Sequence, residues 1–124
     1  MASIFPVNSR GIMEANPRAT YISVEDYLAG EAIAHTRSEY VEGQVVGMAG
    51  GTLGHGQIIQ NLTSLLDAQL EPQQCRVLGS EILVRVSPTR YYYPDVTIFC
   101  GKPQLEKRHG IDVLLNPLVV VEVL

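Results

Sequence analysis

The segment HGQIIQNLTSLLDAQL carries the clearest helical pattern in the chain, with apolar side chains recurring three and four positions apart. These apolar residues are Ile58, Ile59, Leu62, Leu65, Leu66 and Leu70. Pro72 follows and cannot continue a helix, because proline has no amide hydrogen to donate. A second, shorter helix is predicted from Thr20 or Ser23, either of which can cap it, to about Ala34.

Alternation of apolar and polar residues predicts strands elsewhere. EYVEGQVVGMAG alternates around Glu42-Gly43, a suitable two-residue turn, and therefore predicts a hairpin. CRVLGSEILVRVSP also alternates, and SPTR returns the chain into YYYPDVTIFC, which we expect to be its antiparallel partner.

The end of the chain contains two contrasting segments. GKPQLEKRHGIDVLLN is polar and interrupted by glycine and proline, so it predicts a loop with at most a helical turn. PLVVVEVL is nearly all apolar, which is typical of a central strand covered on both faces. Because the chain reaches Leu124 inside this strand, we expect further elements of the layer to lie beyond it.

Together these elements predict an α/β or α+β fold, a mixed sheet with a helix packed on it. The length of 124 residues is that of one domain. We expect residues 1–19 to form a flexible N-terminal tail and residues 20–124 to form the domain.

Composition narrows the classes of function. The chain is 46% hydrophobic and 18% charged, with a net charge of −4 and only two lysines beside seven arginines, so no basic stripe predicts phosphate binding by charge alone. No run is long enough for a membrane span and the N-terminus has no basic leader, so we expect a cytoplasmic protein without a membrane partner. Cys75 and Cys100 lack a CxxC spacing, and we expect free thiols.

Two acidic residues lie in otherwise apolar strands. Asp95 follows Pro94 at the head of one strand, and Glu122 interrupts the last one. A buried carboxylate without a partner costs several kcal/mol, on the order of 5, so two of them in one sheet indicate a bound cation. Carboxylate oxygens, a main-chain carbonyl and waters suit Mg²⁺ or Mn²⁺.

Pro94-Asp95 followed by Glu122 in an apolar strand resembles the PD-(D/E)XK superfamily of restriction-endonuclease-like nucleases. Four segments resemble one large bacterial branch of that superfamily in order and spacing: SVEDYL, SEYVEGQVVGMAGGTLGHGQIIQNL, YYYPDVTIFC and NPLVVVEVL. The resemblance covers about residues 20–124. A lone Pro-Asp pair is common by chance, whereas four segments in series are specific.

The resemblance implies a restriction-endonuclease-like domain whose divalent metal is held by Asp95, Glu122 and the carbonyl of Val123, with DNA as substrate. A lysine of the superfamily lies two positions after the acid, which here is Leu124. In the branch that this chain resembles, the lysine lies on a following helix, so the domain is expected to be incomplete at its C-terminus.

Two further residues are candidates for the catalytic site. Glu39 matches a position that can supply another acidic ligand in the branch, although an exposed acid before a strand is the alternative. His55 follows a glycine-rich loop and could contact a phosphate or orient a ligand, although helix N-termini commonly carry such residues without a catalytic role. Glu81 is expected to pair with Arg85.

The leading functional hypothesis is a Mg²⁺- or Mn²⁺-dependent endonuclease acting on DNA. The alternative is a non-catalytic binding module, or an assembly module that forms a homodimer or higher homo-oligomer on the nuclease scaffold. A metal-dependent hydrolase with another substrate is a third possibility.

Overall fold

The computed structural model describes residues 20–124 and the main chain of residues 2–6. Helix α1 spans Val24–Ile33 and helix α2 spans Leu53–Leu70. The hydroxyl of Ser23 accepts a hydrogen bond from the Asp26 amide and caps α1, and Thr52 caps α2 through the amide of His55. Both predicted helices are confirmed. Within residues 20–124, neither helix combines the length and apolar character that a membrane crossing requires.

The described residues form ten strands, numbered along the chain. They are β1 (Ala2–Pro6), β2 (Ser38–Val41), β3 (Gln44–Gly47), β4 (Cys75–Leu78), β5 (Leu83–Ser87), β6 (Arg90–Tyr92), β7 (Val96–Cys100), β8 (Leu105–Arg108), β9 (Ile111–Leu114) and β10 (Val119–Val123). Of the tail predicted over residues 1–19, residues 2–6 form β1, and residue 1 and residues 7–19 lie outside the described part of the chain.

The strands are arranged in two sheets. The first sheet has the order β1-β10-β7-β4, with every pair antiparallel. The second has the order β3-β2-β6-β5-β9-β8, and only its β5-β9 pair is parallel. The mixed strand directions and the two helices confirm the predicted α+β class. β10 has a strand on each side, as its apolar sequence predicts.

Two hydrophobic cores hold the layers together. Residues of α1 and one face of the second sheet form the first core: Tyr27, Leu28, Tyr40, Leu83, Tyr91, Tyr93 and Val113. The opposite face of the second sheet packs against the first sheet through Val84, Val86, Phe99, Leu114 and Val120. Each fully buried aliphatic side chain contributes roughly 1.5–3 kcal/mol, so the second sheet is fixed from both faces. Helix α2 contacts β4 and β10 of the first sheet.

The turn at Glu42-Gly43 joins β2 to β3 as predicted. Both residues have positive φ, 47° at Glu42 and 88° at Gly43, which is the geometry of a tight hairpin turn that follows the twist of its strands. A Cβ atom at Gly43 would overlap the ring of Tyr21. Glycine is therefore required there for its φ and for its size.

The segment YYYPDVTIFC does not form one continuous strand, so that part of the prediction is wrong. β6 ends at Tyr92 in the second sheet, and β7 begins at Val96 in the first. Pro94 lies between them and cannot donate to a strand ladder, so the chain leaves one sheet and enters the other at this residue. The predicted antiparallel pairing holds for β5 with β6.

The loop predicted over residues 101–116 is also wrong in part. Residues 105–114 form the β8-β9 hairpin, whose turn residues His109 and Gly110 have φ of 51° and 82°. β8 is an edge strand with charged side chains, as edges that must not pair with other chains often are. Because most residues of β8 are polar, the strand could not be recognised from the hydrophobic pattern.

The expectation of free thiols is wrong as well. Cys75 in β4 lies directly opposite Cys100 in β7, and their sulfur atoms form a disulfide. The residues are 25 positions apart in sequence, so only the strand pairing brings them together. The disulfide therefore ties β4 to the strand that begins beside Asp95.

Candidate functional site

Pro94 leaves a gap in hydrogen bonding at the end of the β7-β10 pair. The register Val121↔Val96, continued by two positions, places Val123 opposite Pro94, which has no N–H to donate. The amide of Val123 instead donates to Oδ2 of Asp95 at 2.8 Å, and its carbonyl oxygen lies 2.7 Å from Nε2 of His55. Because a carbonyl only accepts, Nε2 carries the hydrogen in this contact.

His55 reaches this point from the first turn of α2. Its Nε2 also lies 3.4 Å from Oδ2 of Asp95, and the two side chains are 29% and 15% exposed. A Cβ atom on Gly51 would lie 2.9 Å from Nδ1 of His55, so the absence of a side chain at Gly51 leaves room for the imidazole. The glycine-rich loop thus accommodates the histidine ring, and it contains no lysine to cradle a phosphate.

Glu122 shares this region with Asp95. The continued β7-β10 register places the two residues opposite each other, directly beyond the Val121↔Val96 pair. Burial, the charges of Asp95 and Glu39, and a side-chain hydrogen bond with Asp95 together raise the pKa of Glu122 to about 8, against the opposing effect of a hydrogen bond from the Asp95 main chain. Acidic side chains therefore crowd together at this end of the β7-β10 pair.

Glu39 approaches the same acids from the second sheet. It is half-buried in β2, and its Oε2 accepts a hydrogen bond from the amide of Tyr93 at 2.7 Å. Burial raises the pKa of Glu39, the Tyr93 hydrogen bond lowers it, and the charge of Asp95 raises it. The pKa effect of Asp95 on both glutamates places the three carboxylates within electrostatic reach of one another.

The predicted site residues therefore meet in one region, but not in one tight cluster. β2, β10, α2 and the residue before β7 supply Glu39, Glu122, His55 and Asp95 respectively. Across the part of the chain that the structure describes, no three acidic, histidine or cysteine side chains gather closely enough to hold a metal ion. A cation bound between two carboxylates would fill its remaining positions with carbonyl and solvent oxygens, as Mg²⁺ commonly does.

The structure also locates the residues that the sequence placed differently or missed. Glu81 pairs with Arg37 at 3.0 Å, so the expected pair with Arg85 is wrong. Leu124 occupies the position at which the resemblance places a lysine. Tyr93, which donates to Glu39, directly precedes Pro94-Asp95, and this adjacency was the available signal for its role.

Comparison with known proteins identifies similar chains. The family model Uma2, described as "Putative restriction endonuclease", matches residues 24–124. Two proteins of Synechocystis sp. are similar over 104 residues, which is 83% of this chain: "Uncharacterized protein sll1609" at 27% identity and "Uncharacterized protein slr1290" at 31%. The chain spans 58% and 53% of their respective lengths. No solved structure matches.

Proposed function

The chain belongs to the Uma2 family of restriction-endonuclease-like proteins, and from this premise we propose that it is a divalent-metal-dependent endonuclease that hydrolyses DNA phosphodiester bonds. Asp95 and Glu122 are the proposed ligands of Mg²⁺ or Mn²⁺, with the Val123 carbonyl as a third protein ligand. Glu39 and His55 complete the site. The proposed substrate is DNA.

The observation that carries this proposal is the position of Glu122, which the β7-β10 register places opposite Asp95. Its carboxyl has a pKa of about 8 because it is buried near two other acids, and no cationic side chain is among the causes of the shift. A bound cation would offset the repulsion among these acids and favour the ionised form of Glu122. Oxygen ligands of this kind fit Mg²⁺ or Mn²⁺ rather than a thiolate-preferring metal.

Each residue has a separate proposed role. When bound, the metal polarises the phosphodiester and lowers the pKa of a water molecule. Asp95 holds the end of β10 through its Oδ2, which accepts from the Val123 amide. His55 donates to the Val123 carbonyl, and because a carbonyl oxygen has two lone pairs, one remains for a ligand.

The chain's two lysines do not supply the water-orienting group of the superfamily. Lys102 lies beyond the far end of β7 from Asp95, and Lys107 lies in the edge strand β8, with Nζ 3.8 Å from Asp112. We therefore propose metal ligands among the described residues, but no residue for proton transfer. For this reason metal binding and DNA cleavage are tested separately.

The test measures Mn²⁺ binding by calorimetry and relaxation of supercoiled plasmid DNA with Mg²⁺ or Mn²⁺. We expect the parent chain to do both, and Asp95→Ala and Glu122→Ala to lose both. Asp112→Ala is the matched control, since it removes an exposed carboxylate of β9 whose partner is Lys107, and we expect it to leave both readouts intact. A parent chain that binds no Mn²⁺, or an Asp95→Ala variant that cuts like its parent, would refute the proposal.

A second candidate function is a non-catalytic binding or homo-oligomeric assembly module. The observation that favours it is β3, which lies at the edge of the second sheet among the described residues, where its free main-chain groups are available to a second copy. A chain that binds Mn²⁺, cuts no DNA and sediments as a dimer would support this function. A monomer that cuts DNA would exclude it.

A further inference from the structure

Glu31, near the end of α1, makes contacts that converge on Glu39. Its Oε2 accepts a hydrogen bond from the hydroxyl of Tyr93 at 2.7 Å. The same carboxylate accepts from the amide of Ser38, with Oε2 at 3.1 Å and Oε1 at 3.3 Å. Ser38 directly precedes Glu39, and the Tyr93 amide donates to the Glu39 carboxylate. Glu31 therefore holds the main chain next to Glu39 and the side chain of the residue that donates to Glu39.

A second side chain of helix α1 also binds the first residue of β2. The hydroxyl of Tyr27 donates to the Ser38 carbonyl at 2.5 Å, so both main-chain polar groups of Ser38 bind side chains of α1. Ser38 begins β2, and its neighbour Glu39 faces away from the Tyr40 core. A hydrogen-bonded main chain on one side of Glu39 restricts the positions that its carboxylate can reach.

We call the hydrogen bonds of Tyr27 and Glu31 with Ser38, and of Glu31 with Tyr93, the clamp. Tyr93 connects the clamp to the other acids of the site. Tyr93 is 6% exposed, and the guanidinium of Arg37 lies 5.5 Å from the centre of its ring. Pro94, with a restricted φ, is the only residue between Tyr93 and Asp95. A shift of Tyr93 would therefore move the donor to Glu39 and the start of the segment that carries Asp95.

We propose that Glu31 is a positioning residue that sets the Glu39 carboxylate against Asp95 and Glu122, and thereby tunes the affinity of the site for a divalent cation. The inference rests on the proposed function for its metal, and on hydrogen bonds within the chain for its geometry. Glu31 is not a ligand here, because its carboxylate is engaged by Tyr93 and Ser38. Residues that orient the ligands of a metal typically change its affinity by roughly 10–100-fold when they are lost.

The experiment compares three variants with the parent chain. Glu31→Ala removes the acceptor, Glu31→Gln keeps one amide oxygen as an acceptor, and Tyr93→Phe keeps the ring and the amide but removes the hydroxyl. Glu25→Ala is the control, because it removes another carboxylate of α1 whose partners are Arg108 and His109. The readouts are the Mn²⁺ dissociation constant and the hydrogen-exchange rate of the Tyr93 amide.

We expect Glu31→Ala to weaken Mn²⁺ binding roughly tenfold or more and to speed exchange of the Tyr93 amide. Glu31→Gln should recover much of the affinity, and Glu25→Ala should match the parent. If Glu31→Ala does not fold, Tyr93→Phe decides, with a loss of affinity in the same direction. A folded variant with faster Tyr93 exchange and parental Mn²⁺ affinity would overturn the proposal and leave Glu31 a purely structural role.

If the proposed metal site does not exist, the experiment gives a result that differs from the failure of the Glu31 proposal. A parent chain that binds no more Mn²⁺ than Asp95→Ala would refute the metal site itself. The positioning of Glu39 is then decided by exchange of the Tyr93 amide, which Glu31→Ala accelerates if the clamp exists. Unchanged exchange in that variant overturns the clamp whether or not metal binds.

Discussion

The carboxylate of Asp95 binds the main-chain amide of Val123 across the end of a strand pair, with 2.8 Å between Oδ2 and nitrogen. The residue opposite that amide is Pro94, which cannot form a reciprocal ladder pair. Asp95 therefore combines a structural contact with its proposed role as a metal ligand. Its hydrogen bond and its charge can be removed separately.

Asp95→Asn and Asp95→Ala should separate these two roles. Asparagine keeps an oxygen that accepts from the Val123 amide, whereas alanine leaves that amide without its partner, at a cost of about 1–3 kcal/mol in unfolding free energy. We expect Asp95→Asn to be the more stable variant, and both to lose Mn²⁺ binding because the charge is gone. Urea unfolding and calorimetry measure the two effects. Equal stability of the two variants would show that the Val123 contact contributes nothing.

The raised pKa of Glu122 predicts that stability falls as pH rises. Between its ordinary value of 4.5 and the folded value of about 8, the folded chain retains a proton that the unfolded chain has released. The contribution of this group is fully present below pH 4.5 and is lost as pH rises through 8. The expected slope within that window is at most about −1.4 kcal/mol per pH unit, and smaller to the extent that solvent screens this partly exposed group. Urea unfolding across the window measures it.

Glu122→Gln should remove most of this slope and should be more stable than the parent near pH 8. Glu71→Gln, at an exposed glutamate after α2, is the control and should keep the parental slope. Mn²⁺ should stabilise the parent more at pH 8 than at pH 5.5, because the cation binds the ionised carboxyl. A parent whose stability is flat over this range would contradict the predicted environment of Glu122.

Asp95 and Glu122 could be selected as candidates from the sequence because they break a local pattern. Asp95 and Glu122 interrupt apolar strands, and burial of charge is unfavourable whatever the partner strands are. Their opposition could not be read from alternation alone, because it depends on the β7-β10 register. The helices and the Glu42-Gly43 hairpin were likewise predictable from local spacing and turn chemistry.

Interactions between distant segments were not predictable in this way. Glu31 and Tyr93 are separated by 62 positions, and their contact exists only because α1 covers the second sheet. The Cys75–Cys100 disulfide depends in the same way on the pairing of β4 with β7. The β8-β9 hairpin was missed for another reason, since an edge strand satisfies its polar residues with solvent and needs no apolar run.

Gly51→Ala should disturb His55 without unfolding the chain. The added Cβ would lie 2.9 Å from Nδ1, so the imidazole must move, and its 2.7 Å contact with the Val123 carbonyl should weaken. Gly50→Ala is a matched control, because a Cβ atom there meets nothing within 4 Å. Neither glycine has a left-handed φ, so alanine fits both backbones. Imidazole NMR signals that change equally in both variants would contradict this account.

Reduction of the Cys75–Cys100 disulfide should destabilise the chain. The bond closes a loop between residues 25 positions apart. Its loss lets the unfolded chain adopt more conformations, which lowers the free energy of unfolding by about 3 kcal/mol. We expect unfolding of the parent to shift to lower urea concentration when a reductant is added. Cys75→Ser/Cys100→Ser should show the lower stability with or without reductant.

The Cys75→Ser/Cys100→Ser variant also tests whether the disulfide affects the proposed metal site. β7 pairs with β10 through Ile98, Thr97 and Val96, so it keeps its neighbour on the side of Glu122 when the bond to β4 is lost. Asp95 should therefore still reach the Val123 amide, and Mn²⁺ affinity should change by less than the stability does. A parent whose thiols react with an alkylating agent before reduction would contradict the disulfide. Loss of Mn²⁺ binding in a folded double variant would instead show that β4 holds the site in place.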